Sequence, residues 1–430
     1  MRLRLLTLTA VLALVPATAS ARGPRLTGDE RLSPRLHELT FSTPALAKPT
    51  KVRILLPAGY ATQREHSYPV LYLLHGASGD QTSWTSFGQG QAEQLTAKLP
   101  LIVVMPDAGL GGFYTDWFNN GSGGKPRWED WHVKQLIPWV DRHYRTLAVR
   151  RERAVAGLSM GGFGAFSYAS RHPDLFTAAL SLSGAVDPTV APPVIDAIPA
   201  AEGAPPGSLW GPFATQEVRW RAHDPYDLAP NLRGLALWLR TGNGEPGGPF
   251  GGRPEIDVIE AGVFAMATNV HNRLDELGIP HVFDSYGPGQ HLWPYWNRGL
   301  SETLPALMKR FRRGSKPPAR ITFRAAEPSF AVYGWSVRVR RPAMEFSQLA
   351  GAGRRGFTLS GSGSATVTTP SVYRRGRAYR VTVRGEARSV RANGRGRLRI
   401  AVPLGPGNPM QQFTAGARTR VFKARVTIAP

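Results

Sequence analysis

The segment from residue 36 to residue 313 alternates short apolar runs with longer amphipathic stretches. Continuous apolar runs such as Pro69–Leu74 and Leu101–Met105 are typical of strands that are buried on both faces of a sheet. The stretches Glu129–Tyr144 and Val258–Leu277 have the amphipathic pattern of helices. Strands that alternate with helices predict an α/β fold, with a mainly parallel sheet covered by helices. The other strands predicted here are Leu36–Phe41, Val52–Leu56, Ala154–Ala156, Ala178–Leu182, Leu235–Leu239 and His281–Tyr286.

A change of period marks the C-terminal part of the chain. Adjacent prolines in Gly314–Pro318 cannot continue a helix, so we predict a linker over residues 314–320. Beyond it, apolar residues alternate with Arg or Thr, and this period of two is typical of strands with one buried face. The sequence therefore predicts an α/β domain over residues 22–313 and a small antiparallel β domain over residues 321–430. The alternating segments are Trp335–Arg340, Tyr379–Arg384, Arg397–Val402 and Arg420–Ile428.

The first residues of the chain have the layout of a secretory signal peptide over residues 1–21. Arg2 and Arg4 precede an uncharged apolar run, Leu5–Val15, and small residues follow in Ala19–Ala21. The alternative is a membrane anchor, but the run is about half the roughly 20 residues that a spanning helix needs. We therefore expect cleavage after residue 21, no transmembrane anchor after cleavage, and a secreted or cell-wall-associated protein.

The positive charge of the chain is concentrated near its C-terminus. The net charge is +23, and residues 316–430 contribute +19 of it, with 22 Lys and Arg against Glu327, Glu345 and Glu386. Arginines at alternate strand positions predict a positive sheet face that docks on wall phosphates, acidic glycans or anionic lipid headgroups. The alternative is that these charges are simply solvated. Because no nucleic-acid-binding motif accompanies them, nucleic acid is not an expected partner.

Composition and spacing also exclude several kinds of chemistry. The chain contains no cysteine, which excludes disulfides, thiolate metal sites and a cysteine nucleophile. It has neither a Walker-type phosphate loop nor the usual spacings of metal ligands. We therefore expect no cofactor and no metal.

A candidate nucleophile lies in the G-x-S-x-G pentapeptide Gly157–Gly161, which stands between a predicted strand and the helix-like stretch Gly162–Arg171. In that context, a serine occupies a sharp strand-to-helix turn, and the flanking glycines remove side chains that would clash there. The start of the helix also provides positive partial charge for a developing anion. The pattern predicts that Ser159 is a catalytic nucleophile.

A serine hydroxyl is a weak nucleophile unless a base takes its proton. Where this motif occurs, the histidine base follows the nucleophile and the acid along the chain. His291 fits because it follows the last predicted strand and opens a helical stretch, whereas we expect His271 and His281 to be structural. The expected oxyanion donors are the backbone N–H groups of Met160, directly after the nucleophile, and Ala77, in the loop after Pro69–Leu74.

Taken together, these segments resemble the esterase-D-like branch of the α/β-hydrolases, and within it the secreted mycobacterial mycolyltransferases. The resemblance spans residues 36–312. It implies an α/β-hydrolase fold and acyl-transfer chemistry on an ester or glycolipid substrate. The segments that carry it are YLLHG (72–76), FYTDW (113–117), GLSMG (157–161), WGP (210–212), DP (224–225), LW (237–238), GNG (242–244) and HLWPYW (291–296).

The resemblance also implies which residue is the acid of the triad. In the similar enzymes the acid is a glutamate on the helix after the Gly-Asn-Gly segment, and that position falls at Glu260 here. Asp257 stays open as the alternative, and both it and Glu255 also fit a solvated first helical turn. The acid would hold the imidazole in one tautomer and stabilise its cation.

The sequence departs from the mycolyltransferases at several positions. They have an aspartate that contacts the sugar acceptor where this chain has His75, and a serine where it has Leu292. These changes favour an ordinary esterase over a trehalose-specific transferase. We expect substrate contacts from His75, Asp116, Trp117 and Trp293, although either tryptophan could equally belong to the core.

Three functions stay open from the sequence. The first is a secreted serine esterase with a Ser-His-Glu triad and an acyl-enzyme, which the His-Gly loop favours. The second is a mycolyltransferase-like enzyme that moves acyl groups onto trehalose or another sugar, which the His-x-Trp-x-x-Trp ending favours. The third is a non-catalytic wall-binding protein, which only the basic tail supports.

Overall fold

A computed structural model describes residues 23–430 of the protein. The predicted signal peptide over residues 1–21 lies outside the described residues. Among the helices of the described part, none is both long enough and apolar enough to cross a membrane.

The N-terminal sheet contains nine strands within residues 23–430. These are β1 (Arg25–Arg31), β2 (Leu36–Ser42), β3 (Thr50–Leu55), β4 (Val70–Leu74), β5 (Ile102–Pro106), β6 (Arg153–Leu158), β7 (Ala178–Leu182), β8 (Ala236–Thr241) and β9 (Val282–Ser285). They are ordered β1-β2-β3-β5-β4-β6-β7-β8-β9. The pairs from β5 to β9 are parallel, whereas β1, β2 and β3 form an antiparallel edge. The carboxyl ends of the parallel strands therefore meet along one edge of the sheet.

Helices cover both faces of this sheet. They are α1 (Ala92–Leu95), α2 (Ile137–His143), α3 (Met160–Arg171), α4 (Pro192–Ala197), α5 (Phe213–Arg221), α6 (Val258–Glu276) and α7 (Trp293–Arg313), and a π-helical stretch, Asp130–Leu136, leads into α2. On β4, Tyr72 and Leu74 pack into one core, and Leu71 and Leu73 pack into the other. This two-sided burial explains the continuous apolar run, and the predicted α/β fold is confirmed.

The C-terminal part is an antiparallel β-sandwich. Its strands are β10 (Ile321–Ala325), β11 (Ser329–Val332), β12 (Trp335–Arg340), β13 (Ser347–Gly353), β14 (Gly356–Gly361), β15 (Ser364–Thr368), β16 (Ala378–Val383), β17 (Glu386–Arg391), β18 (Arg399–Pro403) and β19 (Phe422–Ala429). One sheet has the order β10-β13-β14-β19-β16-β17 and the other β11-β12-β15-β18. Inward residues of both sheets, such as Val337 and Val426, share one core. The predicted antiparallel β domain is thus confirmed.

Several strands do not carry the patterns that predict strands. All but one residue of β1 are exposed, and the strand is held by its backbone pairing with β2. Similarly, β13 reads SQLAGAG, in which small residues and glycines obscure the alternation. Such strands depend on their neighbours for pairing and have little apolar pattern of their own.

The sandwich is bonded directly to the α/β domain. The side chain of buried Asn231 donates to the carbonyl oxygen of Arg324 at 2.8 Å and accepts from its N–H at 2.7 Å. The hydroxyl of Tyr333 donates to the carbonyl oxygen of Pro173 at 2.7 Å. An ion pair joins Arg171 of α3 to Glu327 at 2.6 Å. These contacts hold the sandwich on the side of the domain where α3 ends.

Candidate active site

The pentapeptide around Ser159 forms a strained turn between β6 and α3. Ser159 has φ 51° and ψ −119°, a left-handed backbone that a residue with a side chain rarely adopts. The backbone N–H of Ser159 donates to the carbonyl oxygen of Leu182 at the end of β7, at 2.9 Å. Its own carbonyl oxygen accepts from the N–H groups of Phe163 and Ala185 at 3.1 and 3.3 Å. The neighbouring elements therefore hold the strained conformation in place.

The two glycines of the pentapeptide allow this turn to pack against β4. A Cβ at Gly161 would lie 2.5 Å from the carbonyl oxygens of Leu74 and His75. A Cβ at Gly157 would lie 2.3 Å from the carbonyl oxygen of Gly161. Real Cβ atoms do not approach this closely, so the close contact between the turn and the end of β4 requires glycine at both positions.

The loop that follows β4 lies directly against Ser159. A Cβ at Gly76 would be 3.4 Å from the Cβ of Ser159, so the backbone of this loop borders the hydroxyl. Ala77 comes next and is exposed. Among residues 23–430, no acceptor is bonded to the N–H of Ala77, whereas the N–H of Ser78 is bonded to the carbonyl oxygen of Leu110. The predicted donor at Ala77 is thus next to the nucleophile with its N–H available, and Met160 occupies the first position of α3.

His75 is buried beneath this loop, with only 1% of its surface exposed. Its Nδ1 donates to the carbonyl oxygen of Gly76 at 2.7 Å, and its Nε2 accepts from the N–H of Ala108 at 2.9 Å. Burial lowers the pKa of His75, which favours this neutral form. Since both ring nitrogens are bonded to backbone, the ring braces the loop and has no polar atom left for a substrate. The expected substrate contact through this side chain does not fit this position.

An imidazole–carboxylate pair lies on the same edge of the sheet. The Nδ1 of His291 is 2.6 Å from Oε2 of Glu260, which is completely buried in the first turn of α6. A carboxylate only accepts hydrogen bonds, so Nδ1 carries the proton and Nε2 of the neutral ring keeps its lone pair. This is the tautomer that a general base for a serine needs.

The other oxygen of Glu260 is bonded to the ends of two strands. Its Oε1 accepts from the Ser183 hydroxyl at 2.8 Å, the Thr241 hydroxyl at 3.1 Å and the Gly242 N–H at 2.7 Å. Ser183 follows β7, has φ 46°, and accepts a hydrogen bond from the indole N–H of Trp296 at 3.1 Å. A buried carboxylate is costly unless several donors compensate it, and here the donors do so.

Asp257, the alternative acid, is a cap and not the partner of the imidazole. Its Oδ1 accepts from the N–H groups of Ile259 and Glu260 at 3.0 and 3.1 Å, which caps the start of α6. Its Oδ2 accepts from the backbone N–H of His291 at 2.9 Å. Burial alone would raise the pKa of Asp257, but these backbone donors lower it below its ordinary value. Asp257 therefore ties the start of α6, which carries Glu260, to the loop that carries His291.

Ser159 and the His291–Glu260 pair are linked through β7. Leu182 accepts the hydrogen bond from Ser159, and the next residue, Ser183, is bonded to Glu260. The structure thus brings the three predicted triad residues to one edge of the sheet. Sequence reasoning missed Ser183 and Thr241. Their positions could have revealed them, because Ser183 follows β7 and Thr241 is the last residue of the neighbouring parallel strand β8.

The remaining predicted substrate contacts lie in three different settings. Trp117 is 6% exposed and belongs to the core, with its indole N–H donating to the carbonyl oxygen of Gly112 at 3.2 Å. Asp116 lines a cavity of about 480 Å³ together with Glu129 and with residues of the sandwich such as Phe323. Trp293 is partly exposed and lines a separate groove of about 860 Å³. Of the two predicted tryptophans, only Trp293 is partly exposed, and the ring that contacts His291 is that of Trp296, at a centroid distance of 4.9 Å.

The environment of the Asp116 carboxyl makes the free energy of unfolding depend on pH. Burial, with a smaller contribution from the charge of Glu129, raises the pKa of Asp116 to about 6. The unfolded carboxyl has a pKa of about 3.9, so the folded chain binds a proton that the unfolded chain releases between these values. This group therefore lowers stability as the pH rises through about 4 to 6. Asparagine keeps the acceptor for the N–H of Asp130 and removes the charge.

We expect Asp116→Asn to raise the free energy of unfolding above about pH 6, and the gain to shrink as the pH falls toward about 4. Urea unfolding at both ends of this range, followed by tryptophan fluorescence, measures the difference. A gain of equal size at both pH values would contradict the assigned cause.

Comparisons with known proteins identify the family of the chain. The Esterase family profile matches residues 43–307. Esterase Rv1288 of Mycobacterium tuberculosis is 33% identical over 288 residues, which are 66% of this chain and 61% of that protein. The diacylglycerol acyltransferase/mycolyltransferase Ag85B of Mycolicibacterium smegmatis is 30% identical over 253 residues, covering 56% of this chain and 76% of that protein. The chain thus spans about three fifths of the length of the first of these relatives.

Solved structures share the fold of the α/β domain. An S-formylglutathione hydrolase from Agrobacterium tumefaciens aligns with a TM-score of 0.51 at 17% identity, covering 66% of this chain and 99% of that one. MPT51 of Mycobacterium tuberculosis aligns with a TM-score of 0.50 at 24% identity, covering 63% of this chain and 97% of that one. From the matched residues 43–307 and the architecture of the sheet, we conclude that the chain belongs to the Esterase family of α/β-hydrolases.

Proposed function

We propose that this protein is a secreted serine esterase that acts through Ser159, His291 and Glu260. The observation that carries the proposal is the 2.6 Å contact between His291 and a fully buried glutamate, on the sheet edge where Ser159 occupies a strained turn. Strained backbone and compensated buried charge are both costly, and they cluster at catalytic sites.

The proposed reaction has two steps. In the first, Nε2 of His291 takes the proton of the Ser159 hydroxyl while the serine oxygen bonds to the ester carbonyl carbon. The carbonyl oxygen becomes an oxyanion, which the N–H groups of Met160 and Ala77 stabilise. The intermediate expels the alkoxide, which takes the proton from His291, and an acyl-enzyme remains. In the second step, water or another hydroxyl repeats the sequence and releases Ser159.

The surroundings of the triad support this reaction electrostatically. The carboxylate of Glu260 stabilises the imidazolium that forms in each step. The first turn of α3 directs its partial positive charge toward the oxyanion. The brace from His75 holds the loop of Ala77 next to Ser159, so the oxyanion donors are arranged before the substrate arrives.

Substitutions within the triad test the proposal. We expect Ser159→Ala to lower kcat for a short-chain ester by about a million-fold, since no other group replaces the nucleophile. Glu260→Gln should lower it by about ten-thousand-fold, because an amide cannot favour the imidazolium. The assay follows free acid, and Ser122→Ala, an exposed serine outside the site, is the control. Retention of wild-type turnover by folded Ser159→Ala would overturn the proposal.

The second candidate is transfer of the acyl group to a sugar. It is favoured by the groove that Trp293 lines, where the indole ring of Trp293 lies 5.2 Å from the rings of both Trp84 and Trp296. Phe87 and Phe250 also line this groove and are exposed, so it offers aromatic surface to an acyl chain or a sugar. Hydrolysis stays the first candidate, because the His-Gly loop resembles that of ordinary esterases.

An acceptor assay separates the candidates. The protein is incubated with a short-chain ester, with and without trehalose, and both free acid and acyl-sugar are quantified. We expect free acid in both reactions and no acyl-sugar. Formation of acyl-sugar at the expense of free acid would show that the enzyme is a transferase and not a hydrolase. If neither product formed, the non-catalytic wall-binding function would be the one supported.

We also propose that the sandwich docks on an anionic cell-wall polymer. Of its three acids, Glu327 is paired with Arg171, and Glu345 is 1% exposed and bonded to Arg341 and Asn408. Only Glu386 among them is exposed, and within residues 23–430 it forms no ion pair with a Lys or Arg. Because two of the three acids are paired, little negative charge on the sandwich opposes its exposed cations.

The outer face of the larger sheet is the preferred docking surface. On β19, Lys423 and Arg425 are exposed between buried residues, and they stand beside Ser360 and Thr358 of β14. Arg380 extends the row on β16. Cations interleaved with hydroxyl groups suit an extended phosphate or carboxylate polymer, and this row has no large apolar side chain for insertion into a membrane.

A charge-reversal pair tests the docking surface. We expect the double variant Lys423→Glu and Arg425→Glu to weaken retention on immobilised polyphosphate at least tenfold, and added salt to weaken the wild type. Arg312→Glu with Arg313→Glu, exposed on α7, changes the net charge equally and is the matched control. An equal loss in both double variants would show that retention reflects net charge alone. If the protein is retained on anionic vesicles but not on polyphosphate, the docking partner is a lipid surface and not a cell-wall polymer.

A further inference from the structure

Two histidines and an aspartate meet where α6 ends and β9 begins. Nδ1 of His271 is 2.7 Å from Nε2 of His281. Nε2 of His271 is 3.6 Å from one carboxylate oxygen of Asp275, and Nδ1 of His281 is 4.0 Å from the other. One ligand atom from each residue can be chosen so that all three lie within 4.8 Å of one another. The triad does not include any of these residues.

The local structure fixes two of the three side chains. The ring of His271 stacks on Phe283 with a centroid distance of 4.4 Å. The Nδ1 of His281 lies 2.9 Å from the carbonyl oxygen of Ile279 and donates to it, which directs Nε2 and its lone pair toward His271. A histidine that donates one ring N–H to a backbone carbonyl while its other nitrogen points into a cluster has the arrangement of a metal ligand.

The turn between the helix and the strand holds the cluster together. The N–H of Gly278, which has φ 58°, donates to the carbonyl oxygen of Asp275 at 2.9 Å, and the N–H of Ile279 donates to that of Leu274 at 2.9 Å. His271 and Asp275 are four residues apart and lie on the same face of α6. The turn brings His281 back to that face, so three ligands come from two elements.

We propose that His271, Asp275 and His281 bind one divalent transition-metal ion, with Zn²⁺ as the preferred ion. Two imidazoles and a carboxylate are ligands that suit Zn²⁺ in a tetrahedral site. With metal–ligand bonds of about 2.1 Å, neighbouring ligand atoms are about 3.4 Å apart, which lies within the range of separations seen here. Asp275 is 64% exposed and can rotate toward the ion, and water completes the coordination.

The ion would connect the two elements that carry the acid and the base. Glu260 lies in the first turn of α6, whose last turns carry His271 and Asp275. His291 lies in the loop that follows β9, and His281 directly precedes β9. A metal bridge at this end of the two elements therefore stabilises their relative position, away from the reacting groups.

The competing interpretation is a hydrogen bond between the two histidines without an ion. The 2.7 Å separation is also that of an N–H donor and a nitrogen acceptor. The two interpretations differ in one respect: a hydrogen-bonded pair does not need Asp275 and does not respond to metal. The test therefore measures metal binding directly and does not depend on catalysis.

The experiment uses untagged full-length protein that has been treated with a chelator and dialysed. Zn²⁺ is titrated by calorimetry, Co²⁺ is titrated by visible absorption, and the melting temperature is followed with and without Zn²⁺. We expect one equivalent to bind, an intense visible Co²⁺ band typical of tetrahedral coordination, and a melting temperature that rises by several degrees at saturating Zn²⁺. Asp275→Asn and His271→Ala should each weaken binding at least tenfold.

His37→Ala is the matched control, because His37 forms a two-residue pair with Asp29 at 3.0 Å that lacks a third ligand. It should bind Zn²⁺ like the wild type. Absence of saturable binding at micromolar Zn²⁺, or binding that Asp275→Asn and His271→Ala leave unchanged, would overturn the proposal.

Discussion

The buried carboxylate of Glu260 makes the hydrogen bonds on which the proposed catalytic edge of the sheet depends. A charge removed from water has to be compensated by several donors, and the four donors here come from the ends of three different strands or the loops that follow them. Ser183 follows β7, Thr241 and Gly242 end or follow β8, and His291 follows β9. Satisfying this one side chain therefore fixes the relative positions of three strand ends. Ser159 joins the same arrangement through its backbone bond to Leu182.

The burial of each strand and its place in the sheet explain what sequence reasoning could and could not predict. Strands β4, β5 and β7 are buried on both faces and therefore have continuous apolar runs, so they could be predicted almost to the residue. In contrast, β1 has polar exposed residues and exists through its pairing with β2. Ser159 and His291 stand in local patterns that predict their surroundings. The placement of Ser183 beside the acid depends on strand order, and strand order is not visible in any local pattern.

The β-sandwich shows how charge can be distributed between an interface and a surface. Glu327 pairs with Arg171 of α3, and Arg171 also contacts Glu129 at 3.0 Å, so the junction between the two domains contains a buried charge network. Breaking one member of such a network leaves an uncompensated charge, which disfavours separation of the domains. Glu327 thus holds the sandwich on the α/β domain, while exposed cations such as Arg425 face solvent. The composition alone could not distinguish the charges that join the two domains from the charges that face solvent.

The position of His75 bears on the choice of acceptor in the proposed reaction. The ring serves as a brace because it is neutral, donating through Nδ1 and accepting through Nε2 at the same time. An aspartate, which the mycolyltransferases have at this position, carries no N–H when ionised and could not donate to the carbonyl oxygen of Gly76. Bracing the loop of Ala77 and the acceptor contact that the resemblance implies are therefore alternative uses of one position, and this chain has the residue that braces. Under the proposed function, selection between water and a sugar would then rest on the groove lined by Trp293, which combines aromatic residues such as Phe87 with polar side chains such as Gln94.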